Sequence, residues 1–368
     1  MDTFTLEISV TEKCNLGCPY CYVANKNTFL SEEVFEKNIP TIKDLMSRSN
    51  TKKLHVSFFG GEPMINFDII KYITIRLREE FGESLTDLVI LSNMTLLDEE
   101  KLQWIKEHDV RCSWSFDGIS SNISRPLLPF LENKDENGHQ YKNIMEMYDK
   151  NIHLIKQITK GCKTMIWPGN MSEMVENYKY FIKIGISPDF SLVRDDVWTR
   201  QDIIDFRKYA IELFDEYKQT IIEGRYQVIG FHSLYLKDIT NALIKGKRPF
   251  GCFAGTRGAV LMSSGEFYPC ARFASKKINI IDENYSFNYW DKQFKPINYD
   301  KCKDCDIVLS CNAGCNYSQL RNDNKPLDSV CELFHILTEQ TMRITDELKD
   351  NKNYKKLVVN LLKSLNEN

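Results

Sequence analysis

Thr11-Glu12-Lys13-Cys14-Asn15-Leu16-Gly17-Cys18-Pro19-Tyr20-Cys21-Tyr22-Val23 carries three cysteines at C-x3-C-x2-C spacing, with an aromatic, Tyr20, just before the third. The run ahead of it, Phe4-Thr5-Leu6-Glu7-Ile8-Ser9-Val10, alternates apolar and polar residues with period two, which predicts a strand. The cysteines therefore occupy a loop leaving the C-terminal end of a first strand. Three thiolates in one loop suit an iron–sulfur cluster, since thiolates are what hold such clusters. A cubane has four irons, so three cysteines leave one iron open to the amino and carboxylate groups of a small molecule. The competing reading is a zinc site or three reduced structural thiols. Structural zinc takes four ligands, and no His lies nearby.

Downstream, a second strand-like run, Leu54-His55-Val56-Ser57-Phe58-Phe59, leads into Gly60-Gly61-Glu62-Pro63. Alone, this tetrapeptide reads as an ordinary turn. Its glycines also let the backbone approach a ligand closely, and its carboxylate can accept from an ammonium.

Together the two segments resemble the signature of the radical S-adenosylmethionine (SAM) enzymes. In that family the open iron binds SAM. An electron from the cluster then gives methionine and a 5′-deoxyadenosyl radical that abstracts hydrogen from substrate. The resemblance implies that Cys14, Cys18 and Cys21 hold a [4Fe–4S] cluster. It also implies that Gly60, Gly61, Glu62 and Pro63 hold the methionine amino group, with Tyr20 beside the cofactor. Leu91-Ser92-Asn93-Met94 resembles the family's Thr-Asn-Gly segment, with Met94 in place of the glycine, and makes Asn93 a candidate cofactor contact. Ser113-Trp114-Ser115-Phe116-Asp117-Gly118 resembles a Ser-x-Asp-Gly segment whose serine lies near the cofactor. Ser115 is thus a candidate contact, against a plain turn-forming role for Ser115 and Asp117. Arg125 follows at a spacing loosely like the family's.

Six strand-like runs (4–10, 54–59, 87–92, 110–116, 162–167 and 188–193) alternate with helical patterns near 31–48, 66–80, 98–107, 140–158, 172–184 and 201–218. In the last of these, Ile203, Phe206, Ala210, Leu213, Phe214 and Tyr217 form one apolar stripe. Such β-then-α units imply a parallel sheet with helices outside, and the resemblance implies a partial (β/α)6 TIM barrel. In barrel enzymes catalytic groups gather at the C-terminal ends of strands, where both motifs fall. Residues 126–140 read as a polar loop over that face, a substrate lid or a plain surface insertion.

With 368 residues there is room for two domains. Basic residues (48) and acidic residues (51) are interspersed, so no single-sign field favours nucleic acid. No apolar run is long enough to span a bilayer and no signal pattern opens the chain, so the expected location is cytoplasmic. Twelve cysteines in a reducing compartment point to metal or catalysis rather than disulfides. Ten fall at 14–21 and 252–331, leaving Cys112 and Cys162 in predicted strands.

In the second group Cys252 precedes Cys270, then Cys302-x2-Cys305-x5-Cys311-x3-Cys315, then Cys331. A zinc ribbon would use four of these cysteines and leave three unexplained. All seven match the SPASM extension of radical enzymes that modify peptides and proteins. That resemblance implies two auxiliary [4Fe–4S] clusters. Cys252, Cys270 and Cys315 would hold the one nearer the active site, and Cys302, Cys305, Cys311 and Cys331 the outer one. Gly258 stands where some relatives carry an extra cysteine, so the nearer cluster is expected to keep an open iron. The expected layout is a barrel over 1–228, a cluster-binding domain over 229–345 and a C-terminal helix over 346–368.

The function expected is a maturase that modifies a ribosomally made peptide or protein through a thioether, a carbon–carbon link or epimerisation. Its electron donor would be of flavodoxin or ferredoxin type. The first strand begins within ten residues, so leader recognition would need a separate protein, another surface or no leader at all. Alternatives are an anaerobic sulfatase-maturing enzyme, and a non-catalytic iron–sulfur electron carrier. Sulfatase maturases place an aspartate after the second SPASM cysteine; here Ala271 and Arg272 follow Cys270. Gly60-Gly61-Glu62-Pro63 argues against a carrier, which needs no amine site.

Overall fold

The computed structural model describes residues 2–128, 141–225, 252, 254–274, 299–311 and 314–366. Expectations for residues 129–140 and 229–251 lie outside the described residues. Six β-then-α units follow one another along the chain. The strands are β1 (Thr3–Thr11), β2 (Lys53–Gly60), β3 (Leu85–Ser92), β4 (Arg111–Ser115), β5 (Gly161–Ile166) and β6 (Ser187–Leu192). The intervening helices are α1 (Glu32–Arg48), α2 (Phe67–Phe81), α3 (Glu99–Glu107), α4 (Ile144–Ile158), α5 (Met174–Ile184) and α6 (Arg200–Ile222). This is the mostly parallel α/β sheet with helices that the alternation predicts.

The chain divides into two compact units. In the first, which spans residues 1–115, 125–159 and 253–293, the strand order is β4-β3-β2-β1-β7-β8. The pairings from β4 to β7 (Gly258–Leu261) are parallel, and β8 (Phe267–Tyr268) closes an antiparallel hairpin with β7. The β7 strand is absent from the sequence expectation because Gly-Ala-Val-Leu is too short and too uniformly buried to show a period. Phe4, Leu6, Ile8 and Val10 of β1 are fully buried, whereas Thr5, Glu7 and Ser9 alternate to the opposite face. Ser31 caps α1 by accepting from the Val34 amide at 3.2 Å, and Asp98 caps α3 through the Lys101 amide at 2.8 Å.

The second unit holds the parallel pair β5–β6, then α5 and α6, and the C-terminal helices α7 (Asp328–Leu348) and α8 (Lys352–Asn366). Helices α6 and α7 run in the same direction with charges matched along them. Arg200 pairs with Glu332, Arg207 with Glu339, Arg343 with Asp215 at 2.8 Å and Lys218 with Glu347 at 2.6 Å. The apolar stripe Ile203, Phe206, Ala210, Leu213, Phe214 and Tyr217 is buried, as its period predicts. At the end of α6, the Asn353 amide donates to the carbonyls of Ile221 and Ile222 in the helix's last turn.

Candidate active site

Backbone geometry locks the cysteine loop to the ends of β1 and β2. The Gly61 amide donates to the Thr11 carbonyl and the Glu62 amide to the Lys13 carbonyl, each at 2.8 Å. A Cβ on Gly60 would lie 1.9 Å from the Thr11 carbonyl oxygen, and one on Gly61 2.2 Å from that of Lys13. Gly60 also takes a φ of +141°, so both positions require glycine. Asn25 clamps the loop from the other side, accepting from the Cys14 amide at 3.1 Å and donating to the Cys14 carbonyl at 3.0 Å. The Leu16 amide points at the Cys14 sulfur, 3.4 Å away. Further along, the Gly17 amide donates to the Pro126 carbonyl and the Leu128 amide to the Asn15 carbonyl.

Glu62 is the electrostatic centre of this end of the sheet. Its side chain is 1% exposed. One oxygen accepts from the Ser92 hydroxyl at 2.7 Å and the Met64 amide at 3.0 Å; the other accepts from the Asn93 amide at 2.8 Å. A carboxylate offers about four lone-pair sites, so capacity remains for one more donor. Burial nevertheless pushes the Glu62 carboxyl up to about 7, against the pull of those three bonds. Burial likewise pushes the Cys14 thiol up to about 12, reinforced by the negative charge of Glu62, Cys18 and Cys21. Carboxylate and three thiols therefore share one neighbourhood. Burial and mutual repulsion favour the protonated forms of these acids, and a cation or iron would favour their ionised forms, as suits a site built for both.

Asn93 is held on three sides. Its side-chain amide donates to Asn15 at 2.9 Å, its side-chain oxygen accepts from the Thr95 hydroxyl at 2.6 Å, and its carbonyl accepts from the Tyr148 hydroxyl at 2.8 Å. Met94, standing where the resembled segment has glycine, takes a φ of +61° with its side chain fully buried. It keeps the left-handed backbone that glycine would supply, at a cost of roughly 1–2 kcal/mol that burial of the side chain offsets. Tyr20 lies under the Arg125 guanidinium, 5.6 Å from ring centroid to Cζ, and Arg125 also draws down the Cys21 thiol against the burial that raises it. Sequence spacing hinted only loosely at Arg125; Asn15, Asn25 and Tyr148 carried no signal at all.

Ser115 ends β4, and among the described residues its hydroxyl has no hydrogen-bond partner. Asp117 serves the fold. Its two oxygens accept from the Met165 amide at 2.8 Å and the Ser124 hydroxyl at 2.7 Å. Gly118 abuts Asn177, whose side-chain oxygen would lie 2.5 Å from an added Cβ.

Tyr22 projects from the same loop beside Cys21 and Cys270, with the Arg272 guanidinium 5.5 Å from its ring centroid. Burial, then the charges of Glu7, Cys270 and Cys21, raise its phenol, yet the residue is 51% exposed. Glu7 faces Tyr22, and burial alone pushes its carboxyl up to about 7. Among the described residues no group hydrogen-bonds or pairs with that carboxylate.

In the second unit, Cys302, Cys305, Cys311 and Cys331 come together. Burial and the charges of Cys331, Cys302 and Cys305 push the Cys311 thiol up to about 12, with Arg194 opposing. Cys311, Cys315 and Cys331 line a shallow open recess that Arg194 also borders. Cys252 is exposed, Cys315 stands just ahead of the helix Asn316–Arg321, and Cys112 and Cys162 lie in β4 and β5 as expected.

Residues 8–186 match the model of the radical SAM superfamily. An uncharacterised protein of Methanocaldococcus jannaschii is 30% identical over 289 residues, covering 76% of this chain and 89% of that one. The chain belongs to the radical SAM superfamily. It is a radical SAM enzyme, and such enzymes use SAM and a [4Fe–4S] cluster. The radical SAM cyclopropyl synthase TigE of Paramaledivibacter caminithermalis is 22% identical, over 90% of this chain and 72% of its own. Among solved structures, native anSMEcpe with bound AdoMet and Cp18Cys peptide superposes with a TM-score of 0.70 at 19% identity, covering 95% of this chain and all of that one. No helix among the described residues is long and apolar enough to cross a membrane.

Proposed function

We propose that this radical SAM enzyme is a maturase acting on a peptide or protein side chain or backbone. The observation that carries the proposal is the Glu62 carboxylate, buried, with capacity for one more donor and electrostatically coupled to Cys14, which in turn feels Cys18 and Cys21. In this reading the three thiols hold the cluster, and Glu62 accepts the methionine ammonium of SAM. Gly60 and Gly61 keep the backbone close enough for that contact. Asn93 fixes the floor beneath it, with Tyr20 braced by Arg125. When bound, the pair supplies the 5′-deoxyadenosyl radical that takes hydrogen from the substrate. Tyr22, beside Cys270 and in the field of Glu7, would border the substrate, with Glu7 placed to take a proton.

A peptide substrate is supported by the peptide present in the anSMEcpe structure. The seven-cysteine pattern supports a SPASM region with two auxiliary clusters. For the outer cluster, the mutual charge effects of Cys302, Cys305, Cys311 and Cys331 fit a shared ligand set. Cys270 belongs to the first unit and Cys252 and Cys315 to the second, so their joint assignment rests on the resemblance.

A second reading, formylglycine formation on a sulfatase, is favoured by an 18% identity, over 96% of this chain, to a serine-type anaerobic sulfatase-maturating enzyme of Bacteroides thetaiotaomicron. Ala271 weighs against it, because its methyl group cannot act as the base expected after Cys270. Anaerobic incubation of the reconstituted enzyme with dithionite and SAM should yield 5′-deoxyadenosine by mass spectrometry. Its absence, with clusters loaded, would favour an electron carrier. With the chain active, screening short open reading frames and sulfatases from the same genomic neighbourhood separates the two substrate readings.

A further inference from the structure

Among the outer four thiols, Cys305 has a neighbour of a different kind. Its sulfur lies 3.9 Å from Nε2 of His335, within reach of a hydrogen bond to sulfur. On the far side of the ring, Nδ1 of His335 lies 3.9 Å from Oδ1 of Asp306. That is too long for a direct hydrogen bond but close enough for electrostatic orientation. All three donor atoms fall within 4.8 Å of one another. Local sequence produces this arrangement. Asp306 is the residue after Cys305, and His335 stands one helical turn beyond Cys331 on α7, so Cys331 and His335 share a helix face.

As a stability device the arrangement is worth little. The His335 side chain is 47% exposed and that of Asp306 83%, and exposed ion pairs contribute next to nothing. Its chemistry points elsewhere. A carboxylate, then an imidazole, then a ligand atom is the pattern by which outer groups orient and tune metal ligands. Hydrogen bonds to cluster sulfurs are among the factors that set reduction potential. The neighbouring thiols have other company: Cys311 has Arg194 and Cys331 has Lys301.

We propose that His335 is a positioning residue for the outer auxiliary cluster, holding the Cys305 sulfur by an Nε2–H hydrogen bond, with Asp306 fixing the ring, and thereby raising the cluster's reduction potential. The inference rests on the reading that Cys302, Cys305, Cys311 and Cys331 carry that cluster. Only the difference in strength of this bond between the reduced, more electron-rich cluster and the oxidised one moves the potential, and that difference is set at about tenfold in the ratio of reduced to oxidised cluster, near the upper end for one hydrogen bond to charged sulfur. For one electron that ratio corresponds to a shift of about 59 mV.

The test is an EPR-monitored redox titration, with dithionite and mediators, of full-length anaerobically reconstituted protein carrying Cys14→Ala, Cys18→Ala and Cys21→Ala. His335→Ala should lower one of the two auxiliary waves by about that amount, with iron content unchanged and the other wave unmoved. His335→Gln, whose amide nitrogen can donate from nearly the same place, should recover most of the shift. Unmoved waves in His335→Ala overturn the proposal. So does loss of one cluster's iron in that variant, which would make His335 a ligand or a folding element. Zinc held by wild-type protein and lost in His335→Ala would overturn it too, in favour of a mononuclear site. The underlying reading fails by a different signal: Cys302→Ala with Cys311→Ala leaves the iron count and both waves intact, and the proposal falls with it.

Discussion

The two cysteine regions are built in opposite ways. Cys14, Cys18 and Cys21 lie within eight residues, on a loop whose backbone is tied to β1, β2 and the segment after Arg125 by hydrogen bonds that need no metal. The outer set spans residues 302–331 and hangs on two four-residue helices (Asp300–Lys303 and Val308–Cys311) and the first turn of α7. Helices that short have no stability of their own, so on the proposed cluster assignment ligand bonds would supply it. The first region is a cradle preformed by its backbone; the second, on that assignment, depends on its metal to become a structure.

The largest expected effect follows directly. Iron chelation should strip hydrogen-exchange protection from residues 299–331 while leaving β1 to β3 protected. Equal loss in both regions would erase the contrast. Next in size, Gly61→Ala should abolish SAM cleavage, because its Cβ would sit 2.2 Å from a backbone oxygen that cannot move without opening the loop. Calorimetry with SAM should register no binding, and retained turnover would show that the cradle is not preformed.

Glu62→Gln should weaken SAM binding by roughly tenfold to a hundredfold, the range for losing a charged hydrogen-bond partner. The wild-type affinity should also depend on pH. Burial holds the Glu62 carboxyl near 7, and only its ionised form attracts the ammonium. Affinity should therefore rise with pH up to about 7 and level off above it, and the variant should titrate flat across that window.

The smallest effect concerns Glu7. Its folded-state carboxyl is raised to about 7 from an ordinary 4.5, so the folded protein binds that proton more tightly than the unfolded chain does. Stability from this residue is full below about 4.5 and lost as pH climbs through about 7. Glu7→Gln should match wild type in Tm at pH 5 and exceed it at pH 8. Equal melting at both would mean that the carboxylate is solvated or paired.

Much of this was legible in the chain. The six strands and six helices fall within a few residues of their predicted bounds, because period and caps such as Ser31 and Asp98 are local signals. The Cys14–Cys21 loop and Gly60–Pro63 converge because each follows a parallel strand. What could not be read depends on contacts across the sheet: the Asn25 clamp, the Tyr148 bond to Asn93, and β7 alongside β1. Met94 shows a subtler limit. Its residue type speaks against a left-handed turn, and only the three-dimensional surroundings impose one.

The central claim is that three thiols leave a metal corner that SAM occupies beside Glu62. Its most direct test is the EPR spectrum of the reduced enzyme with Cys302, Cys305, Cys311 and Cys315 replaced by alanine, recorded before and after adding SAM. The account predicts a [4Fe–4S] signal that changes shape on addition, and no such signal once Cys14, Cys18 and Cys21 are also replaced. A signal indifferent to SAM, or one that survives loss of those three cysteines, would contradict it.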